Sequence, residues 1–146
     1  MKTTSSIIRY DLLEVWPDLR HKWVFDQEFW RGDLEELKEL ISVCRPRIEP
    51  YVQFRGQYGD CDDHSLFLVS EMRKVIIDWA MAGKLPPEQL FPRPIGRAMG
   101  SRFRGLDIRH SLCIAQVREG IYLFEGHEDR LWKADKENDS VFFVSI

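Results

Sequence analysis

The side chains best suited to chemistry surround a cysteine that precedes a long apolar run. Residues 60–65 read Asp-Cys-Asp-Asp-His-Ser, and from there to residue 82 apolar side chains recur at helical spacing. Asp60 can cap the start of this predicted helix, and Gly83 can end it. A thiol in a first helical turn meets unpaired backbone N–H groups and the positive end of the helix dipole, which both stabilise thiolate. The sequence therefore predicts Cys61 as a nucleophile.

A base for this thiol has to come from elsewhere in the chain, because nucleophile and base are seldom neighbours in sequence. Two alternating apolar runs, 112–117 and 121–124, are separated by Arg-Glu-Gly and predict a β-hairpin. His110 stands at the start of the first strand, and the pairing of a tight hairpin brings Glu125 close to it. The carboxylate can then fix the tautomer of the imidazole. Two later acids are alternatives if the strand is shorter or bulged: Glu128 and Asp129.

The elements before this region read as helices. Trp16, Trp23 and Trp30 recur every seven residues, which predicts a helical N-terminal third with an aromatic stripe against the core. A second helix is predicted from the N-cap Asp33. It should stop before Pro46, because the residue ahead of a proline resists helical geometry.

The elements after the central helix read as strands. Residues 84–109 contain four prolines and three glycines, so this segment is predicted to be mostly irregular. The hairpin follows it, then a short strand near residues 131–132 and a terminal strand at 141–146. The order predicts a single α+β domain over 1–146, with N-terminal helices and a long central helix packed on a small antiparallel sheet.

Composition excludes several classes of protein. With 44% hydrophobic and 12% aromatic residues, the chain can bury a core, and no apolar run reaches the roughly 18 residues of a membrane span. The net charge of −3 gives no reason to expect binding to nucleic acid or a membrane surface.

Three cysteines and no signal-peptide core predict a reduced, cytoplasmic location. Cys44 and Cys113 lack the helix-start setting, so packing is predicted for both.

The motif at the helix start resembles a known family. Gly-Asp-Cys-Asp-Asp at 59–63 resembles the nucleophile motif of bacterial transglutaminase-like cysteine peptidases, and the hairpin is similar to theirs. The papain-like domain of mushroom agglutinins, with a Cys-His-Glu triad, is a second similar family. The resemblance covers roughly residues 56–126. It implies Cys61 as nucleophile, His110 as base and Glu125 as third triad member. The bacterial pattern differs in having Asp in the third place and a bulky aromatic residue at position 64.

The activity expected from this resemblance is that of a thiol hydrolase. Such a cysteine peptidase or amidase would form an acyl-enzyme at Cys61 and act on a peptide or protein substrate. The oxyanion would be stabilised by the Cys61 backbone N–H and by one more donor, for which Gln57 is the nearest candidate and Gln53 the next. The alternatives are a non-catalytic binding or interaction domain on the same fold and a structural zinc-binding module.

Calcium is the one metal that both the resemblance and the local charges suggest. Both families include calcium-dependent members, and Asp60, Asp62 and Asp63 place negative charges that oppose a thiolate. A hard cation on these carboxylates would remove that conflict, although ligands from elsewhere in the chain would also be needed. The acids also suit a simpler role as helix caps.

Two other sites can be written from the sequence. Cys61-x-x-His64 and His110-x-x-Cys113 have the composition of a zinc site, but residues three apart on a strand point to opposite sides. A basic segment before the hairpin could bind phosphate or an acidic substrate, or border a substrate cleft. Its arginines are Arg93, Arg97, Arg102, Arg104 and Arg109.

Overall fold

The helices and strands form an α+β domain. A computed structural model describes residues 1–53 and 61–146. None of the helices in these two ranges is both long and apolar enough to cross a membrane. The elements in chain order are β1 (Lys2–Thr4), α1 (Ser5–Val15), β2 (His21–Trp23), β3 (Glu28–Trp30), α2 (Leu34–Gln53), α3 (Cys61–Met81), a short 3₁₀ turn (Pro87–Gln89), β4 (Ile95–Arg102), β5 (His110–Val117), β6 (Gly120–Phe124), β7 (Leu131–Lys133) and β8 (Ser140–Ser145).

The main sheet is larger than the sequence predicted and is mixed. It has six strands in the order β2-β8-β4-β5-β6-β7, and β2 lies parallel to β8 while the other pairs are antiparallel. Its two faces carry separate cores, because side chains alternate along each strand. Leu112 and Ile114 of β5 pack with residues of α1, whereas Cys113 and Ala115 pack with residues of α2 and α3.

The prediction that residues 84–109 are mostly irregular was wrong over Ile95–Arg102, because β4 lies in the middle of the sheet between β5 and β8. Two glycines make this position possible. A Cβ atom at Gly96 or at Gly100 would collide with backbone atoms of β8. Glycine, normally a weak strand residue, is therefore required here by the close approach of a neighbouring backbone.

The seven-residue tryptophan spacing does not mark one helix. Trp16 follows the end of α1 and is buried, but Trp23 lies in β2 and Trp30 in β3. Trp23 is 55% exposed, so it does not belong to a core stripe. Of the segment that contains the three tryptophans, only α1 is helical. Its short strands form because they pair with partners that are distant in the chain: β1 with β3, and β2 with β8.

The second helix continues past the proline that was predicted to end it. α2 runs to Gln53 with Pro46 and Pro50 inside it. Both prolines are exposed and are four residues apart, so they share the solvent face, where a carbonyl left without an N–H partner can bond to water. The opposite face is buried through Cys44 and Ile48, which holds the helix on the sheet.

Candidate functional site: the groove beside the hairpin

The predicted hairpin is present, with β5 and β6 paired in the register that was expected. Cys113 faces Phe124, which places Glu125 one step further along, opposite Leu112. The Nε2 atom of His110 lies 2.7 Å from Oε2 of Glu125. The two side chains are only 19% and 11% exposed, so water competes little with this contact. The juxtaposition of His110 and Glu125 that the sequence predicted is therefore present.

The electrostatics of the pair favour a charged imidazole. The hydrogen bond to Glu125 raises the pKa of His110, and burial of the ring opposes this shift. The negative charges of Glu125, Glu128 and Asp62 raise the pKa of His110 further.

Replacing Glu125 by glutamine should lower the pKa of His110 toward its ordinary value, because the acceptor loses its charge. The wild-type pair stabilises the fold fully below the pKa of an unfolded histidine, about 6.5, and this contribution is lost as the pH rises through the raised pKa of folded His110. Titration of the imidazole signals by NMR measures the shift, with exposed His21 as the internal reference. An unchanged titration of His110 in the variant would contradict the assignment.

Cys61 is the first residue of α3 and is partly buried. One turn later the Ser65 hydroxyl lies 3.3 Å from that of Ser111, so Ser111 faces α3. Alternation along β5 then directs His110, the adjacent residue, to the other face of the sheet. Among the contacts of the described residues there is no hydrogen bond between Cys61 and His110. The catalytic roles assigned to Cys61, His110 and Glu125 stay predictions.

The remaining predicted site residues have varied surroundings. Gln57 and Asp60 lie outside the described residues. Among the parts of the chain that the structure does describe, no three Cys, His, Asp or Glu side chains form a group that could hold a metal ion. Calcium therefore stays a prediction, and the four-residue zinc set is not assembled. Of the three candidate acids, Glu125 contacts His110, whereas Glu128 pairs with Arg130 and Asp129 with Arg45.

The predicted basic loop is not a loop of free arginines. Arg93 is 6% exposed and its guanidinium pairs with the Glu36 carboxylate at 2.8 Å, so it cannot reach an acidic substrate. Arg97 and Arg102 belong to β4. Arg93 therefore does not belong to the predicted binding segment, and Arg97 and Arg102 lie in a strand and not in a loop.

A groove opens beside His110, and much of its wall was missed by sequence reasoning. It has a volume of about 580 Å³. The Arg104 guanidinium lies over the Trp132 ring, 5.6 Å from its centroid, and no carboxylate of the described residues pairs with it. Arg104 was one of the arginines of the predicted basic segment, and in the structure both Arg104 and Gly105 have positive φ angles, 52° and 80°. The lining residues are Phe103, Arg104, Leu106, Ile108, His110, Glu125, His127, Glu128, Arg130 and Trp132.

Cys61 should be the thiol that iodoacetamide modifies in the folded protein. Cys44 and Cys113 are completely buried, as predicted, and burial raises the pKa of both, that of Cys44 to about 11. Two pKa units mean about a hundredfold less thiolate, so Cys44 should react at least that much more slowly than an ordinary thiol. Site-resolved mass spectrometry measures the three rates. Fast modification of Cys44 or Cys113 without unfolding would contradict this expectation.

Two solved structures are similar in fold to this chain. One is described as a PSL1a–E64 complex, with a TM-score of 0.69 and 15% sequence identity. The other is Polyporus squamosus lectin bound to the human-type influenza-binding epitope Neu5Acα2-6Galβ1-4GlcNAc, with a TM-score of 0.68 and 16% identity. The alignments cover 99% of this chain but 51% and 49% of those chains, so it spans about half their length. No family model and no curated protein matches the chain.

This likeness contradicts the predicted family and activity. The sequence resemblance implied a transglutaminase-like cysteine peptidase with a peptide or protein substrate, whereas the similar structures are of a lectin, one of them with a glycan bound. The thiol-hydrolase prediction was wrong, and the alternative of a binding domain is the better supported. The sequence pattern consisted of a thiol at a helix start and a histidine at a strand start. Such a pattern does not determine toward which face of the sheet the histidine points. Of the two families named above, the agglutinins are nearer to this result, since agglutinins are lectins.

Proposed function

We propose that this chain is a ligand-binding domain that takes an acidic glycan in the groove beside His110. The observation that carries the proposal is the Arg104 guanidinium at the groove wall, held over Trp132 without a carboxylate partner among the described residues. A cation in this position can receive the carboxylate of an acidic sugar through charge-assisted hydrogen bonds. The likeness to a lectin whose bound epitope ends in a sialic acid supports the choice of ligand.

The other groove residues supply what a sugar needs beyond its charge. Phe103, Leu106 and Trp132 offer apolar surface for a ring, while the carboxylate of Glu128 can accept hydrogen bonds from hydroxyl groups. The Nε2 atom of His110 is hydrogen-bonded to Glu125, so Nδ1 is the ring nitrogen that can contact a ligand. When the imidazole is protonated, Nδ1 donates, which favours an anionic ligand further.

The finer architecture, a papain-like arrangement in which a cysteine-bearing helix packs against a histidine-bearing hairpin, is part of the same proposal. Support comes from the contacts of the first turn of α3 with β5. The hydroxyls of Ser65 and Ser111 are in contact, and the Cys113 thiol donates to the Ser65 carbonyl at 3.7 Å. The groove then lies at the end of the sheet where these elements meet.

The test is an NMR titration of the full chain with Neu5Acα2-6Galβ1-4GlcNAc and with the neutral Galβ1-4GlcNAc. We expect shifts at groove residues with the acidic glycan and weaker binding of the neutral one. Arg104→Gln should weaken binding of the acidic glycan by about tenfold, the value of one charged hydrogen bond. Arg102→Gln is the matched control, because Arg102 is exposed, pairs with Asp107 and does not line the groove.

Two results would contradict this function. Absence of groove shifts at millimolar glycan would exclude glycan binding at this site. Equal losses in Arg104→Gln and Arg102→Gln would show that general positive charge, and not the groove, attracts the ligand.

A further inference from the structure

Two histidines meet where the loop after β6 approaches the start of α3. His64, in the first turn of α3, is 6% exposed, and His127 follows Gly126 in the β6–β7 loop. Their Nδ1 atoms lie 3.1 Å apart, and the ring centroids are separated by 4.5 Å with the planes tilted by 57°. The two nitrogens therefore converge on one point from two different elements of the fold.

This separation suits a metal ion as well as a hydrogen bond. A neutral imidazole carries one N–H and one lone pair, so a direct hydrogen bond requires one ring to donate from Nδ1 and the other to accept. Alternatively both Nδ1 atoms present lone pairs to one cation. Zinc binds histidine nitrogen at about 2.0–2.1 Å, and two such ligands at the tetrahedral angle are about 3.3 Å apart. The observed separation of 3.1 Å is close to that value.

A carboxylate that also pairs with Arg130 lies near the second ring nitrogen of His127. This nitrogen, Nε2, lies 3.6 Å from Oε1 of Glu128, within ion-pair distance. Metal-bound histidines usually direct the nitrogen that is not on the metal toward a carboxylate or carbonyl, which fixes the ring and raises its basicity. Glu128 is therefore placed as an outer partner for a metal held at Nδ1.

The backbone around the pair is closely packed. A Cβ atom on Gly126 would lie 2.6 Å from the carbonyl carbon of His64 and 2.7 Å from the Ser65 nitrogen, so loop and helix are in close contact. The Ser65–Ser111 contact holds the same turn of α3 on β5. Two ligands on such a support are already near their binding positions, which lowers the ordering cost of binding an ion.

We propose that His64 and His127 bind a late first-row divalent metal such as Zn²⁺ through their Nδ1 atoms, with Glu128 as the outer partner of His127. Imidazole suits zinc, copper and nickel, whereas calcium prefers oxygen ligands. No third Cys, His, Asp or Glu among the described residues completes the set. Of the ligands, the described residues supply these two, and water or a ligand from solution can take open positions. The metal would tie the groove residue His127 to α3. This proposal does not depend on the glycan proposal.

The experiment is a Zn²⁺ titration of the full chain near pH 7.5, followed by calorimetry and by the ring ¹⁵N signals of the histidines. We expect Nδ1 of His64 and His127 to shift on binding. His127→Gln should weaken zinc binding by at least about tenfold, and Glu128→Gln by about tenfold, as loss of an outer partner usually does. His21→Gln is the matched control, because His21 is exposed in β2 and should leave the affinity unchanged.

A lower pH should also weaken zinc binding, because protons compete for both imidazoles. Calcium in place of zinc should leave the ring nitrogens unshifted. His64→Gln tests the buried ligand, and circular dichroism shows whether this variant folds. If it does not fold, His127→Gln tests the proposal instead, because His127 lies in a loop and is less buried. The proposal is overturned if zinc does not bind, if His127→Gln binds as tightly as wild type, or if the shifted nitrogens belong to His110 or His21. The pair would then be a hydrogen bond alone.

Discussion

Replacing Asp139 by alanine should lower the free energy of unfolding by about 2–4 kcal/mol and disrupt the groove wall. The carboxylate is 1% exposed and accepts three hydrogen bonds. Oδ1 accepts from the backbone N–H of Arg104 at 2.9 Å and from Nε1 of Trp132 at 3.2 Å, and Oδ2 accepts from the backbone N–H of Asp135 at 2.9 Å. Alanine leaves these donors without their acceptor. Two of them belong to the residues that form the proposed anion contact.

Urea unfolding measures the loss of stability, and the glycan titration measures the loss of binding. Asp139→Asn keeps one acceptor oxygen, so its loss should be smaller than that of Asp139→Ala. Asp107→Ala is the control, because the Asp107 side chain is 85% exposed and pairs with the exposed surface residue Arg102, and the effect of this variant should stay within about 0.5 kcal/mol. If Asp139→Ala unfolded at the same urea concentration as wild type, Asp139 would not hold the groove wall.

Gly126→Ala should destabilise the protein by about 1–3 kcal/mol, the usual cost of adding an atom to a packed site. The new Cβ would meet backbone atoms of His64 and Ser65 at 2.6–2.7 Å, and backbone cannot rotate away as a flexible side chain can. The start of α3 has to move from the hairpin, so the contacts between His64 and His127 and between Ser65 and Ser111 should weaken together.

The imidazole signals of His64 and His127 report this displacement, alongside urea unfolding. Gly83→Ala is the control, because it introduces backbone strain without a collision. Gly83 has a φ of 72°, and no atom lies within 4 Å of its missing Cβ. That variant should cost about 1 kcal/mol and leave the histidine signals unchanged. Wild-type stability and histidine signals in Gly126→Ala would mean that the loop does not press on the helix.

The hairpin and its acid–base pair were determined by the sequence. Apolar alternation around a short turn narrows the register to within a residue or two, so the contact of His110 with Glu125 could be predicted from local spacing, with Glu128 and Asp129 as alternatives to Glu125. The start of α3 at Cys61 and the burial of Cys44 and Cys113 follow equally from local pattern. Such features depend on residues that are close in the chain, where spacing carries the information.

Tertiary structure decided the features that depend on distant partners. β4 is a strand because β5 and β8 lie on both sides and two glycines allow close approach. α2 continues through Pro46 because its other face is buried against α3 and the sheet.

The groove also depends on residues that are distant in the chain. Asp139 joins Arg104 to Trp132, residues 28 positions apart in the chain, through a third segment. The meeting of His64 with His127, 63 positions away, depends on how closely the loop packs on the helix. Spacing along the chain carries no information about such contacts, because they form only when the packed elements bring these side chains together.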